Sequence, residues 1–174
     1  MNTQISAVRT ARLFLRRLQS DDADVLHRVY QSEGVLQYFP LTVPPPLEKV
    51  QRFIRGQEEH WEKYGYGNWG VLPDGGQEII GWAGLQYLPE LDETEVGFLL
   101  DHPWWGKGYA TEAAQASIKF GFENFSLDHI IALVHPENLA SQRVIEKCGL
   151  VYQETLPLWG IELKRYRIGN PENV

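Results

Sequence analysis

Midway along the chain the hydrophobic pattern changes its period across a glycine-containing loop, and this change restricts the fold more than any other feature. Glu95 to Leu100 reads as a short apolar strand. From Gly108 to Phe125, small and apolar residues (Ala110, Ala113, Ala114, Ser117, Ile118, Gly121, Phe122 and Phe125) recur on one helical face. His129 to Val134 is a near-continuous apolar run, as expected of a buried parallel strand. Together they predict a β-α-β unit from Glu95 to Val134. A strand that feeds a helix through such a loop leaves unpaired N–H groups at a positive helix end, where an anionic ligand would sit.

The flanking segments extend this unit into a mixed sheet. Arg12 to Leu18 alternates like a strand, and Ser20-Asp21-Asp22 looks like a helix start with Ser20 as N-cap. Leu26, Val29 and Tyr30 give that first helix its apolar face. Pro44-Pro45-Pro46 is a rigid connector. A second helix carries Val50, Phe53, Ile54, Gln57, Trp61 and Tyr64 at helical spacing. Tyr66 to Leu72 and Glu78 to Leu88 read as strands joined by a hairpin turn at Pro73-Asp74-Gly75-Gly76, which makes an antiparallel meander with Glu95 to Leu100. Asn138 to Cys148 is a helix ended by Gly149 at C′, and strands at Val151 to Thr155 and Leu163 to Ile168 follow. The predicted order is β-α-α-β-β-β-α-β-α-β-β, an α/β (mixed α+β sheet) fold in one domain spanning 1–174.

Bulk properties exclude several function classes. With 43% hydrophobic and 22% charged residues among 174, the chain is globular. Its net charge of -7 argues against a nucleic-acid partner, and the basic group Arg9, Arg12, Arg16 and Arg17 has no interleaved aromatic platform. Apolar runs such as Val96 to Leu100 are too short to cross a bilayer, and Met1-Asn2-Thr3-Gln4 lacks the regions of a signal peptide. The single cysteine, Cys148, forms no internal disulfide, and its place in a helix's last turn suits packing better than nucleophilic chemistry. The expectation is a cytoplasmic protein, with no membrane partner and no metal, since the histidines and acids show no ligand spacing. Trp61, Trp69, Trp82 and Trp159 are expected in the core or in a pocket wall.

The loop reads Asp101-His102-Pro103-Trp104-Trp105-Gly106-Lys107-Gly108-Tyr109-Ala110-Thr111-Glu112-Ala113. It is not a Walker loop, because no Ser or Thr follows Gly-Lys, and it is not a dinucleotide fingerprint, because Thr111 stands where a third glycine is needed. Gly106 and Gly108 let the backbone approach a ligand closely, amides from Gly106 to Thr111 can point at phosphate oxygens, and Lys107 adds charge. By itself this pattern also suits a tight turn opening a helix. The segment Trp105 to Ala113 resembles the acetyl-CoA pyrophosphate loop of the GNAT superfamily of N-acetyltransferases, whose pattern is Q/R-x-x-G-x-G/A. Gly108 and Ala110 match its last two fixed positions, and Trp105 departs from the Q/R position. Asn138 to Leu150 is similar to the family's N-x-x-S/A…E-K-x-G-F segment, and Glu95 to Leu100 to its central strand. Tryptophan before the glycines and Ser141 three residues after Asn138 resemble the RimJ/RimL branch, which acetylates N-terminal amines of ribosomal proteins.

The resemblance implies a GNAT-like acyl-CoA N-acyltransferase fold: a central twisted sheet splayed around the cofactor and flanked by helices. It implies acetyl-CoA as cosubstrate and an amine acceptor, most simply a protein or peptide N-terminus, reacting by direct attack in a ternary complex. Phe98, Leu99 and Leu100 would hold the pantetheine arm through backbone N–H groups, with Gly97 suited to a bulge there. Trp105, Gly106, Lys107, Gly108, Tyr109, Ala110 and Thr111 would hold the pyrophosphate. Asn138 would bond the arm from the other side, and it also suits a helix N-cap. A tyrosine used by some relatives as acid is replaced by Ile145, which leaves Ser141 as donor or water-holder to the departing thiolate; Ser141 equally suits packing. Glu95 is the candidate base and His135 an alternative. The acids Glu90, Asp92, Glu93 and Glu95 place a negative field on the acceptor side. An α-amine near pKa 8 costs only about 1 kcal/mol to neutralise at pH 7, against about 4 to 5 kcal/mol for lysine, so a weak base suffices for an α-amine. Acetylation of a small amine (amino acid, polyamine or antibiotic) and a degenerate acyl-CoA-binding regulatory module are the other readings. A monomer and a homodimer are both compatible with the chain.

Overall fold

The computed structural model describes residues 7–173, so the reading of Met1 to Gln4 lies outside the described residues. Among the described residues, one eight-stranded sheet carries four α-helices. In chain order the elements are β1 (Ala7–Arg9), β2 (Leu13–Arg17), α1 (Ala23–Gln31), α2 (Leu47–Tyr64), β3 (Asn68–Pro73), β4 (Gly81–Leu88), β5 (Glu93–Leu100), α3 (Tyr109–Asn124), β6 (His129–Val134), α4 (Leu139–Lys147), β7 (Val151–Leu158) and β8 (Ile161–Gly169). The strand order is β1-β2-β3-β4-β5-β6-β8-β7, antiparallel everywhere except between β5 and β6. The mixed α/β class, the meander through β3, β4 and β5, and the parallel crossover therefore stand as expected.

Local corrections have local causes. β1 was not expected; three residues are too few to show alternation, and it forms only by pairing with β2. Ser20 does not cap α1. A turn of 3₁₀ helix over Ser20–Asp22 precedes that helix, and the Asp22 carboxylate accepts the Gln19 N–H at 2.7 Å. Asp22 also pairs with Arg16 at 2.8 Å, so the acid expected to stabilise a helix start instead ties that start to β2.

Two apolar layers cover the sheet. On one face α3 packs Ala113, Ala114, Ile118 and Phe120 against Leu85, Val96, Leu100 and Ile130, with Trp61 and Trp69 in the same cluster. On the other face α1 and α2 pack Leu26, Val29, Val50 and Ile54 against Leu72, Ile79 and Leu99. Small residues on α3 bring the helix close: a Cβ on Gly121 would meet the Leu85 side chain at 2.5 Å. The arginines near the start are drawn into internal contacts. Arg16 bonds Asp22, Arg12 bonds Glu112, Arg9 reaches Asp74, and the Arg17 guanidinium stands 4.7 Å over the Trp61 ring.

The feature that positions the site is the contact between β5 and β6. These parallel neighbours are in register at one residue pair only, Glu95 with Ile131, and then diverge toward their C-terminal ends. No register shift interrupts β5 along β4, where Gly97 lies directly opposite Gly84, so Gly97 is not a bulge. The gap comes from the two strands parting. The loops leading to α3 and α4 leave from the open end, which puts both helix N-termini beside it.

Candidate active site

Two cavities fill the gap. The larger, about 510 Å³, runs between the loop before α3 and the exposed side of α4. The smaller, about 180 Å³, lies deeper, between β5, β6 and the segment joining α1 to α2. Tyr38, Phe39, Phe98, Asn138 and Ser141 line both cavities and mark where they meet.

The large cavity takes in most of the loop residues expected to bind the cofactor. Phe98, Leu99, Leu100, Trp105, Gly106, Gly108, Tyr109, Ala110 and Thr111 line it, with Asn138 and Ser141 across from them. Gly106 and Gly108 both have left-handed backbone, φ 71° and 80°, which favours glycine. Gly108 is the N-cap of α3 and offers no side chain, and the first intrahelical bond belongs to Glu112 N–H, donated to Gly108 O at 3.0 Å. The N–H groups of Tyr109, Ala110 and Thr111 therefore have no helical acceptor and stand at the positive end of α3. Lys107 is placed differently. It does not line the cavity; its ammonium stands 5.2 Å over the Trp104 ring, and its carbonyl accepts from Arg12 Nη1 at 2.8 Å.

Distant residues hold the loop in shape. Glu112 accepts from Thr10 Oγ1 at 2.6 Å, from Arg12 N at 2.8 Å and from Arg12 Nε at 2.7 Å. Burial alone would raise its pKa, but these donors outweigh burial and hold the carboxyl below its ordinary value. Trp105, at the family's Q/R position, donates Nε1–H to Leu100 O at 2.7 Å and stacks on His102, whose Nδ1 lies 2.8 Å from Glu33 O. This indole fastens the loop to the end of β5.

The smaller cavity is lined by Glu95, His135, Ile145 and Trp159, with Tyr38, Asn68, Trp82 and Gln86 closing it. Glu95 Oε1 accepts the Leu133 N–H at 3.3 Å, a donor on the β6 edge that faces the gap. Burial pushes the Glu95 pKa up to about 7, and the bond from Leu133 only partly offsets this. Ile145 is buried in the cavity wall and offers no proton donor. Asn138 caps α4: its Oδ1 accepts Ser141 N–H at 3.1 Å, and its amide nitrogen makes no hydrogen bond among the described residues. The His135 ring packs 5.2 Å from Tyr38. Burial pushes the Cys148 thiol up to about 11, which fits packing and not a nucleophile.

Residues 12–151 match the acetyltransferase (GNAT) domain family. The chain belongs to the GNAT acetyltransferase family. It is 30% identical over 137 residues to an uncharacterized N-acetyltransferase, p20, of Bacillus licheniformis, covering 78% of this chain and 77% of that one. Among solved structures, an acetyltransferase from Agrobacterium tumefaciens superposes with TM-score 0.82 at 28% identity, covering 97% and 96% of the two chains. RimL, a ribosomal L7/L12 alpha-N-protein acetyltransferase solved with coenzyme A, shares the fold at TM-score 0.79 and 15% identity, over 94% and 97%. This GNAT chain is thus an enzyme of acetyl transfer, and acetyl-CoA is the family's acetyl donor. The cleft suits that donor on its own chemistry, with an uncapped helix N-terminus and two left-handed glycines at one end and a parted strand pair at the other.

Several cavity residues were missed from the sequence. Arg143 and Lys147, one helical turn apart on α4, line the large cavity beside the α3 N-terminus. Their i,i+4 spacing was the available signal. Tyr38, Asn68 and Gln86 carried none, because they come from three separate elements.

The acidic turn forms only part of the negative face expected of it: Glu90 and Asp92 are exposed, whereas Glu93 is paired and Glu95 faces the cavity. Glu93 is bonded by Arg165 through Nε at 2.9 Å and through Nη2, and by His129 Nε2 at 2.7 Å. Asp92 accepts from Tyr87 Oη, Glu90 accepts from Trp159 Nε1, and Glu95 faces the cavity. Burial would raise the Glu93 pKa, but Arg165 and His129 outweigh it and hold the carboxyl below its ordinary value. Glu93 therefore adds stability above the unfolded carboxylate pKa of about 4.5, and this is lost as pH falls through the lower folded value. Glu93→Gln should lower stability by roughly 2 kcal/mol at pH 7, less than a fully buried pair would lose. Urea melts at pH 7 and pH 3 check this: the deficit should shrink at pH 3, and an equal deficit at both would mean that the ion pair contributes nothing.

Proposed function

We propose that this enzyme acetylates the α-amine of a peptide or protein N-terminus, in the manner of the RimJ/RimL branch, by direct attack within a ternary complex. The observation that carries this reading is the meeting of the two cavities, with Ser141 at the junction and Glu95 on the inner side. Acetyl-CoA supplies an activated thioester; Gly106 to Thr111, with Arg143 and Lys147, would hold its phosphates, and Phe98 to Leu100 with Asn138 would hold the arm. Glu95, with a pKa of about 7, removes a proton from an acceptor amine near pKa 8 at a cost of about 1 kcal/mol, but would face about 4 to 5 kcal/mol for a lysine side chain. That difference favours an α-amine. The smaller cavity, about 180 Å³, admits one residue or a small amine, so small-molecule acetylation is the second reading.

Ser141 supports the leaving thiolate as donor or water-holder. Its backbone N–H is committed to the Asn138 cap, and its hydroxyl has no protein partner among the described residues. Ser141→Ala should lower kcat about tenfold or more while the acetyl-CoA Kd changes less than about twofold. Stopped-flow turnover beside calorimetric binding separates these; unchanged kcat would leave Ser141 as packing. The function itself is tested by coenzyme A thiol release over peptides that differ in their first residue, alongside small amines. Release with small amines alone would overturn the N-terminal reading, and release with none would leave a binding module.

A further inference from the structure

The inner end of the smaller cavity is built from carboxamides. Asn68 opens β3, Gln86 lies on β4, and both line the cavity. Gln57, buried on α2, accepts the Asn68 backbone N–H at 2.9 Å. Gln86 Oε1 lies 3.5 Å from Gln57 Nε2 and 3.5 Å from Asn68 Nδ2. This set holds Gln86 Oε1 inward and leaves two polar atoms over: Asn68 Oδ1, an acceptor, and Gln86 Nε2, a donor. Neither has a hydrogen bond among the described residues, and neither is a buried unpartnered atom, a condition found among the described residues only at Arg17. Both therefore open onto the cavity that the two side chains line. Turning both amides over would set Gln86 Nε2 against Gln57 Nε2, and Gln57 is itself fixed by the bond its Oε1 accepts from Asn68 N–H, so Gln86 Nε2 and Asn68 Oδ1 are the atoms left over.

Charge and register add to this. Gln86 lies directly opposite Glu95 in the β4–β5 ladder, so the two side chains project from one face with Cβ atoms about 5 Å apart. An amine held at Glu95 would therefore have the groups on its neighbouring carbon beside Gln86. No lysine or arginine lines the cavity, so a carboxylate beside the amine would meet no permanent cation and would face Glu95.

We infer that Asn68 and Gln86 form an amide-reading subsite, and that the acceptor is a primary amine carrying a neutral amide next to the amine-bearing carbon. This rests on the reading of the smaller cavity as the acceptor side. Gln86 Nε2 donates to the acceptor's carbonyl oxygen, and Asn68 Oδ1 accepts its amide N–H. A peptide N-terminus or an amino-acid amide satisfies both groups. A simple alkyl amine leaves both unpaired, and a free amino acid brings an uncompensated charge.

The test compares phenylalaninamide, 2-phenylethylamine and phenylalanine as acceptors for wild type, Gln86→Met and Gln86→Glu. Dividing each variant's kcat/KM by the wild-type value for the same acceptor cancels the different amine pKa values. Gln86→Met removes the donor at similar volume. Gln86→Glu also removes it but keeps the oxygen that Gln57 and Asn68 point to, so it remains informative if the Met variant folds poorly. Both should lower the preference for phenylalaninamide over 2-phenylethylamine about tenfold. Acetyl-CoA KM should stay unchanged, and phenylalanine should be the poorest acceptor throughout. An equal loss for both amines would reduce Gln86 to a structural role and overturn the proposal, as would a wild type with no preference for the amide. Calorimetric binding of the product N-acetylphenylalaninamide against N-acetyl-2-phenylethylamine makes the same comparison without turnover. If wild type binds the amide product selectively yet releases no thiol with any amine, the catalytic reading fails and the subsite stands. If thiol is released but product binding shows no selectivity, the subsite fails and catalysis stands.

Discussion

Glu95→Gln should lower kcat/KM for a peptide α-amine about 100-fold at pH 7, the low end of what a positioned base contributes. A carboxylate base acts only when ionised, and burial raises the Glu95 pKa to about 7. Wild-type kcat/KM should therefore fall as pH drops through about 7, in addition to the limb set by the amine near 8. The glutamine variant should keep only the amine limb, and its deficit should narrow above pH 8, where the amine arrives neutral. An equal deficit at every pH would make Glu95 a cavity wall. The same substitution has an opposite effect on stability. A carboxyl whose folded pKa lies above its unfolded value stabilises the fold at low pH, and this contribution is lost as pH rises from about 4.5 through about 7. Ionised Glu95 thus costs the fold at most about 3 kcal/mol at pH 8. Glutamine keeps the acceptor for Leu133 N–H without the charge, so the variant should melt higher than wild type at pH 8 and equally at pH 5.

Gly108→Val should abolish the stabilisation given by acetyl-CoA. At 100 times its Kd, a ligand stabilises the folded state by about 2.7 kcal/mol, a rise of roughly 5 to 10 °C for a domain of this size. Gly108 has φ 80° and caps α3. A branched residue there is strained by about 1 to 3 kcal/mol, and relief of that strain turns the amides of Tyr109 to Thr111 away from a phosphate. A Cβ would also stand 3.2 Å from Arg12 Nη2, one of the groups that brace the loop. Strain alone is controlled by Gly149→Val. Gly149 has φ 91°, follows α4 and lines neither cavity. That variant should lose stability yet keep the full acetyl-CoA shift. A full shift in Gly108→Val would remove the loop from cofactor binding.

The elements legible in the sequence were those whose signal is local. The meander, α3, β6 and α4 follow from periodicity within single segments, and the bounds of β6 agree residue for residue with its apolar run. The glycine loop before α3 was legible because left-handed backbone at Gly106 and Gly108 favours a particular residue type. Ile145 at the tyrosine position was equally visible, and it lies in the cavity wall. Gly97 misled because a glycine in a strand signals several things, of which a bulge is one.

What the chain determined by itself was therefore every α-helix and strand but β1, their order and the glycine loop before α3, since each depends on residues within a few positions of one another. Tertiary structure decided where charge and polarity ended up. Two strands joined through α3 part after a single register pair, and that divergence forms both cavities. Glu93 and Glu95 are two residues apart in one strand, yet one is held ionised by Arg165 from β8 while the other is driven toward neutrality by burial. Spacing along the chain cannot separate them, because a carboxyl's pKa is set by the dielectric and the charges around it, which here come from residues 36 to 72 positions away. For the same reason Asn68 and Gln86 read as ordinary strand residues until folding sets them with Glu95 around one cavity.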